Sequence, residues 1–191
     1  MRLTKEKVEQ NRRHIVETAS RMFRLHGMEN VAVADVMKES GFTHGGFYNH
    51  FESKEQLVTE AIASSFQTAA LVLLEQIAAS RKPKKGLEVA LAYYLSDAHR
   101  DTFTGGCPAS ALPVDAARNG PEAQVAFAEG IEAYLDIFAA HLDGNKQEAR
   151  QEAMALLSGI VGAMLLSRAV KAGKPKLSSE LLRCARKQFG Q

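Results

Sequence analysis

Residues 41–57 read GFTHGGFYNHFESKEQL, and two adjacent glycines, Gly45 and Gly46, stand inside a stretch otherwise suited to a short helix. In a helix interior each glycine costs about 1 kcal/mol relative to alanine. That cost has a reason if one face of the element must stay bare. On a helical wheel Phe47 and Phe51 fall on one side, four residues apart, and suit packing against neighbouring helices. Gly45 and Asn49 fall on the opposite side, with Gly46 and Tyr48 flanking them. The bare patch lets the backbone approach a surface closely, and Tyr48 and Asn49 rise from it as polar handles.

Helical periodicity extends outward from this stretch in both directions. Ile15, Ala19, Met22 and Phe23 mark an amphipathic helix over about 4–26, ended by Gly27, and Val33, Val36 and Met37 mark a second over about 33–40, ended by Gly41. Thr43 offers a cap for a third helix over about 43–50. Ser53, with Gln56 three residues on, forms a capping box for a long fourth helix reaching about Ser80. Beyond the basic link RKPKKG, further helices are expected over about 84–99, 110–118, 121–142, 145–172 and 178–188. No run alternates with period two long enough to make a strand. The expected architecture is all-α: an N-terminal three-helix helix-turn-helix unit over residues 1–52, joined by the long helix to a C-terminal helical bundle over 53–191 that dimerises.

Composition narrows the class. The chain has 191 residues, 46% of them hydrophobic, and no Trp, which suits one ordinary helical core rather than a disordered segment. The longest uncharged apolar stretch, Ala153 to Ser167, is too short to span a bilayer, and the N-terminus has no apolar run after its charges. The two cysteines, Cys107 and Cys184, lack CxxC spacing, so neither a disulfide framework nor a zinc site is expected. No cofactor, metal or membrane partner is implied, and the chain reads as cytoplasmic. Residues 1–54 hold nine Lys/Arg against seven Asp/Glu, so the whole formal excess of +2 lies in the N-terminal quarter, with four of the six histidines. An excess that small is only a weak pointer to an anionic partner.

The turn SGFT joining two short helices has the length and chemistry of a helix-turn-helix. In a major groove Asn49 can bond an adenine edge in bidentate fashion. Thr43, Tyr48 and Lys54 are candidates for phosphate contacts, Lys54 sitting in a helix first turn whose free N–H groups already favour an anion. His44, Gly45, Gly46 and Asn49 make the base-facing surface. The segment VADVMKESGFTHGGFYNHFESKEQLV, from residue 33, resembles the DNA-binding segment of the TetR/AcrR family of bacterial transcriptional repressors. The pattern is an apolar-rich helix, a glycine turn, a Ser/Thr-capped recognition helix ending in Tyr-x-x-Phe, then Ser-Lys-Glu-x-Leu. One departure is Ala32, where the family usually carries a hydroxyl that opens the second helix. The resemblance implies a homodimeric repressor that binds double-stranded, (pseudo)palindromic operator DNA and is released by a small molecule or by thiol modification.

It also implies that the last two long helices pair with a partner chain. Leu157, Ile160, Val161, Met164 and Leu165 supply an apolar face for that purpose, with Ser158, Gly159 and Gly162 permitting close approach; the same residues also suit the chain's own core. Tyr93, Tyr94, Phe103, Phe127 and Phe138 are candidate walls of an effector cavity, or plain core. In TFTGGCPASALPVDAAR, Cys107 precedes Pro108 at an expected helix start, where the thiol's pKa is expected to fall. Cys107 is thus a candidate sensor of electrophiles or oxidants, or an inert buried residue, while Cys184 suits packing. Two other readings remain at this level: a helical adaptor without DNA binding, and a thiol-dependent enzyme pairing Cys107 with His99.

Overall fold

The computed structural model describes residues 4–102 and 106–190, and among these every regular element is helical. Helix α1 (Lys5–His26) starts where the Thr4 hydroxyl accepts from Lys7 N–H and stops at Gly27, whose φ of 80° favours glycine. Helix α2 (Val33–Glu39) begins at Ala32, which has no side chain to cap it. The other half of a capping box compensates: Asp35 Oδ2 accepts from Ala32 N–H at 3.2 Å.

The third element differs from the expected α-helix. His44–Asn49 is a 3₁₀ helix, and Thr43 precedes it without a side-chain capping bond. Two glycines and no N-cap bond leave little to sustain the wider α-turn, and the tighter 3₁₀ form is used in such short pieces. Helix α3 (Lys54–Ala78) follows, its Ser53 hydroxyl accepting from Gln56 N–H as expected. The Gln56 side chain reaches back to Glu52 N–H at 2.8 Å.

The remaining chain forms α4 (Pro83–Tyr94), α5 (Asp97–Asp101), α6 (Pro108–Ala111), α7 (Pro113–Arg118), α8 (Gly120–Ala139), α9 (Lys146–Val170) and α10 (Pro175–Phe189). Two expected helices are therefore divided. The 84–99 stretch breaks at Leu95, where Ser96 caps α5 by accepting from His99 N–H. The 110–118 stretch breaks at Leu112, because Pro113 has no N–H to continue α6.

Helix α3 packs on α1 at one end and on α8 along its length, and α9 packs on α8 and α10. Both α3 and α9 are long and apolar enough to cross a membrane by length and composition; each packs against other helices of this chain, with about a third of its apolar window buried. Close approaches set the packing: a Cβ at Gly130 would lie 2.2 Å from the Phe66 ring, and one at Gly159 would lie 2.3 Å from the Phe189 ring. Gly159 thus serves contact between α9 and α10 within the chain.

The candidate nucleic-acid interface and effector pocket

The exposed turn is fixed from beneath. Phe47 and Phe51 are fully buried, with ring centroids 5.3 Å apart. The Arg12 guanidinium lies 4.7 Å over the Phe51 ring and forks onto Glu60 of α3. Its Nε donates to His50 O at 3.1 Å, so α1 holds the end of the 3₁₀ turn directly. Above this base, Thr43, His44, Gly45, Tyr48 and Asn49 are all exposed, Tyr48 by 72%, and Gly46 is half-buried. Three residues per turn put Tyr48 above Gly45 and Asn49 above Gly46. The α-helical pairing of Gly45 with Asn49 is thereby replaced, but the bare face with two polar handles stands. A Cβ on Gly45 would meet nothing within 4 Å, whereas one on Gly46 would touch Thr43 Oγ1 at 3.6 Å and Met37 Cε at 3.7 Å.

Lys54, the candidate phosphate contact in the first turn of α3, is half-buried. Its Nζ donates to Val31 O at 2.9 Å and Met28 O at 3.3 Å, closing the loop between α1 and α2. The same loop is held from the other domain, where Asp115 of α7 accepts from Met28 N–H at 2.9 Å. These acceptors lie more than twenty residues upstream, so the residues around position 54 do not reveal them.

A cavity of about 280 Å³ lies between α3, α4, α8 and α9. Of the candidate walls, Tyr93, Tyr94, Cys107 and Phe138 line it. Phe127 does not; its ring packs edge-on against Phe66, centroids 5.2 Å apart. Phe103 lies outside the described residues. Sequence reading missed Tyr134, Ser65 and Arg24, and assigned His99 elsewhere. Tyr134 shares a helical face with Phe138, four residues on, which was the available signal. Arg24 carried no signal: it belongs to α1, and its guanidinium reaches Ser20 Oγ and Ser65 Oγ, both at 2.7 Å, at the cavity wall. The cavity is therefore walled in part by a residue of α1.

Cys107 is buried, and its thiol donates to Tyr134 Oη at 3.6 Å. Burial pushes the thiol up, outweighing its hydrogen bonds, so the expected lowering by a helix start is reversed. Helix α6 is only four residues long and supplies little dipole. His99 is also buried, against Tyr94 and Tyr93 at 4.8 and 5.6 Å between ring centroids. Burial, then the Arg168 charge, lowers it to about 4. A neutral thiol beside a weakly basic imidazole makes a poor nucleophile–base pair at neutral pH.

Leu157, Ile160 and Met164 are buried in the chain's own core, two of them at the cavity, so they do not form the partner-facing surface expected of them. Val161 is half-buried and Leu165 exposed. Helix α9 is apolar on both faces, and wheel position alone does not separate them.

The chain matches the family described as bacterial regulatory proteins, tetR family, over residues 15–61, and the LmrA/YxaF-like C-terminal domain of transcriptional regulators over residues 83–183. The second match alone spans more than half the chain. The chain belongs to the TetR family of bacterial transcriptional regulators. It is accordingly a DNA-binding, helix-turn-helix regulator of transcription. Within the family it is similar to the uncharacterised regulator YxaF of Bacillus subtilis strain 168, at 25% identity covering 87% of this chain and 90% of the relative. It is similar to LmrA of the same organism at 24%, covering 87% and 91%. Its fold resembles that of the reduced form of E. coli NemR, with a TM-score of 0.75 and 18% identity over 94% of this chain and 95% of that one.

Proposed function

We propose that this regulator is a homodimeric repressor that reads its operator through the 44–49 turn and leaves it when a small molecule fills the cavity behind α1. The carrying observation is the turn: Gly45 is bare and open, and Tyr48 above it and Asn49 beside it stand exposed, over a base of two buried phenylalanines. Asn49 suits an adenine edge and His44 its neighbours, while Thr43 and Tyr48 suit phosphates. Lys54 serves the interface by holding the 28–31 loop.

A second copy docks on the outer stripe of α9. Met154, Ser158, Gly162, Leu165 and Leu166 recur at helical spacing and are exposed or half-exposed, and Leu177 of α10 adds to them. A Cβ on Gly162 would meet nothing within the chain, leaving room for a partner helix. Two-fold pairing would set two recognition turns against a (pseudo)palindromic site.

Release follows from the cavity's position. Arg24 and Ser20 are α1 residues, and Ser65 belongs to α3; a ligand that displaces the Arg24 side chain loosens the contact that aligns the DNA-binding unit. The test is a gel shift with DNA from upstream of the chain's own gene. A salt-sensitive complex that competitor DNA of random sequence does not displace is expected; its absence in folded dimer refutes the reading.

A further inference from the structure

The wall that α1 contributes to the cavity is a cation. Among the described lining residues Arg24 carries the one formal charge, and no carboxylate is present. His99, the other basic group there, is held neutral, lowered to about 4 by burial and then by the Arg168 charge. Arg24 is half-buried, and its Nη1 donates to Ser20 Oγ and Ser65 Oγ, both at 2.7 Å. Those two hydroxyls lie 2.7 Å from each other and fix the guanidinium at the wall, but both are neutral acceptors. Burial lowers the Arg24 pKa, so the surroundings work against the charge they hold. A guanidinium stays protonated at neutral pH all the same. A charge taken out of water is stabilised when an opposite charge meets it.

Tyr134 faces the same space. Arg24 and Tyr134 act on each other's ionisation, which places them near one another. The Tyr134 oxygen accepts from the Cys107 thiol at 3.6 Å, which leaves the phenol's own O–H to donate. Arg168, outside the lining, adds positive potential at His99 and Cys107. Asp101, the carboxylate that acts on Arg168, bonds to two further cations, Arg100 and Lys171. The cavity thus has one positive corner. Val72, Leu73, Leu91, Phe138 and Ile160 make the remainder apolar. At about 280 Å³ the space falls just below the usual range for small-molecule sites, so the occupant is small.

We propose that the cavity binds a small organic carboxylate, its anionic head on Arg24 and Tyr134 and its apolar body along Phe138 and Ile160, and that it rejects cations of the same shape. The carboxylate replaces neutral serine acceptors with charge-assisted bonds about twice as strong. Drawing Arg24 off Ser65 removes a bond between α1 and α3, which is how the anion would loosen the DNA-binding unit. The inference rests on the reading of the cavity as the effector site, but its test needs no DNA.

Naphthoate, naphthamide and naphthylmethylammonium share one ring system and nearly one shape, and each is titrated into the full-length protein by calorimetry. Naphthoate is expected to bind at least about tenfold more tightly than the amide, the gain from one well-made hydrogen bond to a charged group. The ammonium is expected not to bind. In Arg24→Met, checked for an unchanged melting transition, the preference should shrink to within about twofold while amide binding persists. Should that variant fail to fold, the unsubstituted protein supplies a second measurement. Bound as the anion, naphthoate keeps its affinity from about pH 6 to pH 8. Bound as the neutral acid, with a carboxyl pKa near 4, it would weaken about tenfold per pH unit. His99 and Cys107 both stay neutral across that window. Equal binding of carboxylate and amide, binding of the ammonium, a preference that survives Arg24→Met, an affinity that falls with pH, or no saturable binding of naphthoate would overturn the proposal. Operator release is read separately by gel shift. Selective carboxylate binding with the operator still held leaves this ligand class standing and refutes the release mechanism instead.

Discussion

Replacing Gly45 with leucine separates DNA approach from folding. A Cβ at this position meets nothing within 4 Å, and its φ is not in the left-handed region, so the folded chain accommodates the side chain without strain. Removing a helical glycine stabilises by up to about 1 kcal/mol in an α-helix, and less is expected in one turn of 3₁₀. The melting temperature should therefore stay level or rise slightly. On DNA the outcome reverses. The four added carbons stand on the bare face below Tyr48 and hold the turn away from the groove. Loss of the base contact proposed for Asn49 alone costs about 1–3 kcal/mol in each half-site. A dimer loses it twice, about 2–6 kcal/mol, or roughly 30- to 20,000-fold in affinity. Fluorescence anisotropy on labelled operator at fixed salt measures that loss, and circular dichroism melting supplies the folding control. Gly46→Leu is the contrasting variant: its Cβ points at Thr43 and Met37, so it should lower the melting temperature as well. A folded Gly45→Leu dimer that binds operator within about threefold of the parent would refute the close-approach account.

Lys54→Ala removes the donor that closes the 28–31 loop and should destabilise the chain by about 1–3 kcal/mol in urea unfolding. Its salt dependence of DNA binding should be unchanged; a slope smaller by about 2 for the dimer, one contact in each half-site, would instead mark a direct phosphate contact. His99, faced by Tyr93, Tyr94 and Arg168, is held neutral in the folded state, while the unfolded chain takes up a proton below pH about 6.5. Its contribution is whole above that value and is lost as pH falls toward about 4, amounting to about 3 kcal/mol, so His99→Phe should flatten the pH dependence of unfolding across that window. Cys107, buried and with its thiol pKa raised, should react with a maleimide at neutral pH far more slowly in native than in urea-unfolded protein; equal rates would show that the thiol is open to electrophiles.

Local chemistry carried most of the DNA-binding unit into the sequence. The spacing of Ile15, Ala19 and Phe23, the stop at Gly27, the Ser53–Gln56 cap and the buried Phe47–Phe51 pair are all decided by residues within one or two turns of each other, and all were legible. The bare turn was legible for the same reason, though its 3₁₀ winding was not, since a six-residue element has too few hydrogen bonds for propensity to choose between close alternatives. What tertiary structure alone decided involves partners far apart along the chain. Lys54 turns inward because the Met28 and Val31 carbonyls come to it. Arg24 becomes a cavity wall because α3 brings Ser65 beside it. Leu157, Ile160 and Met164 face inward because α8 and α10 pack on that side of α9, whose 153–166 stretch is apolar on more than one face. The Cys107 thiol is raised rather than lowered because burial, which no local pattern reports, outweighs a four-residue helix start.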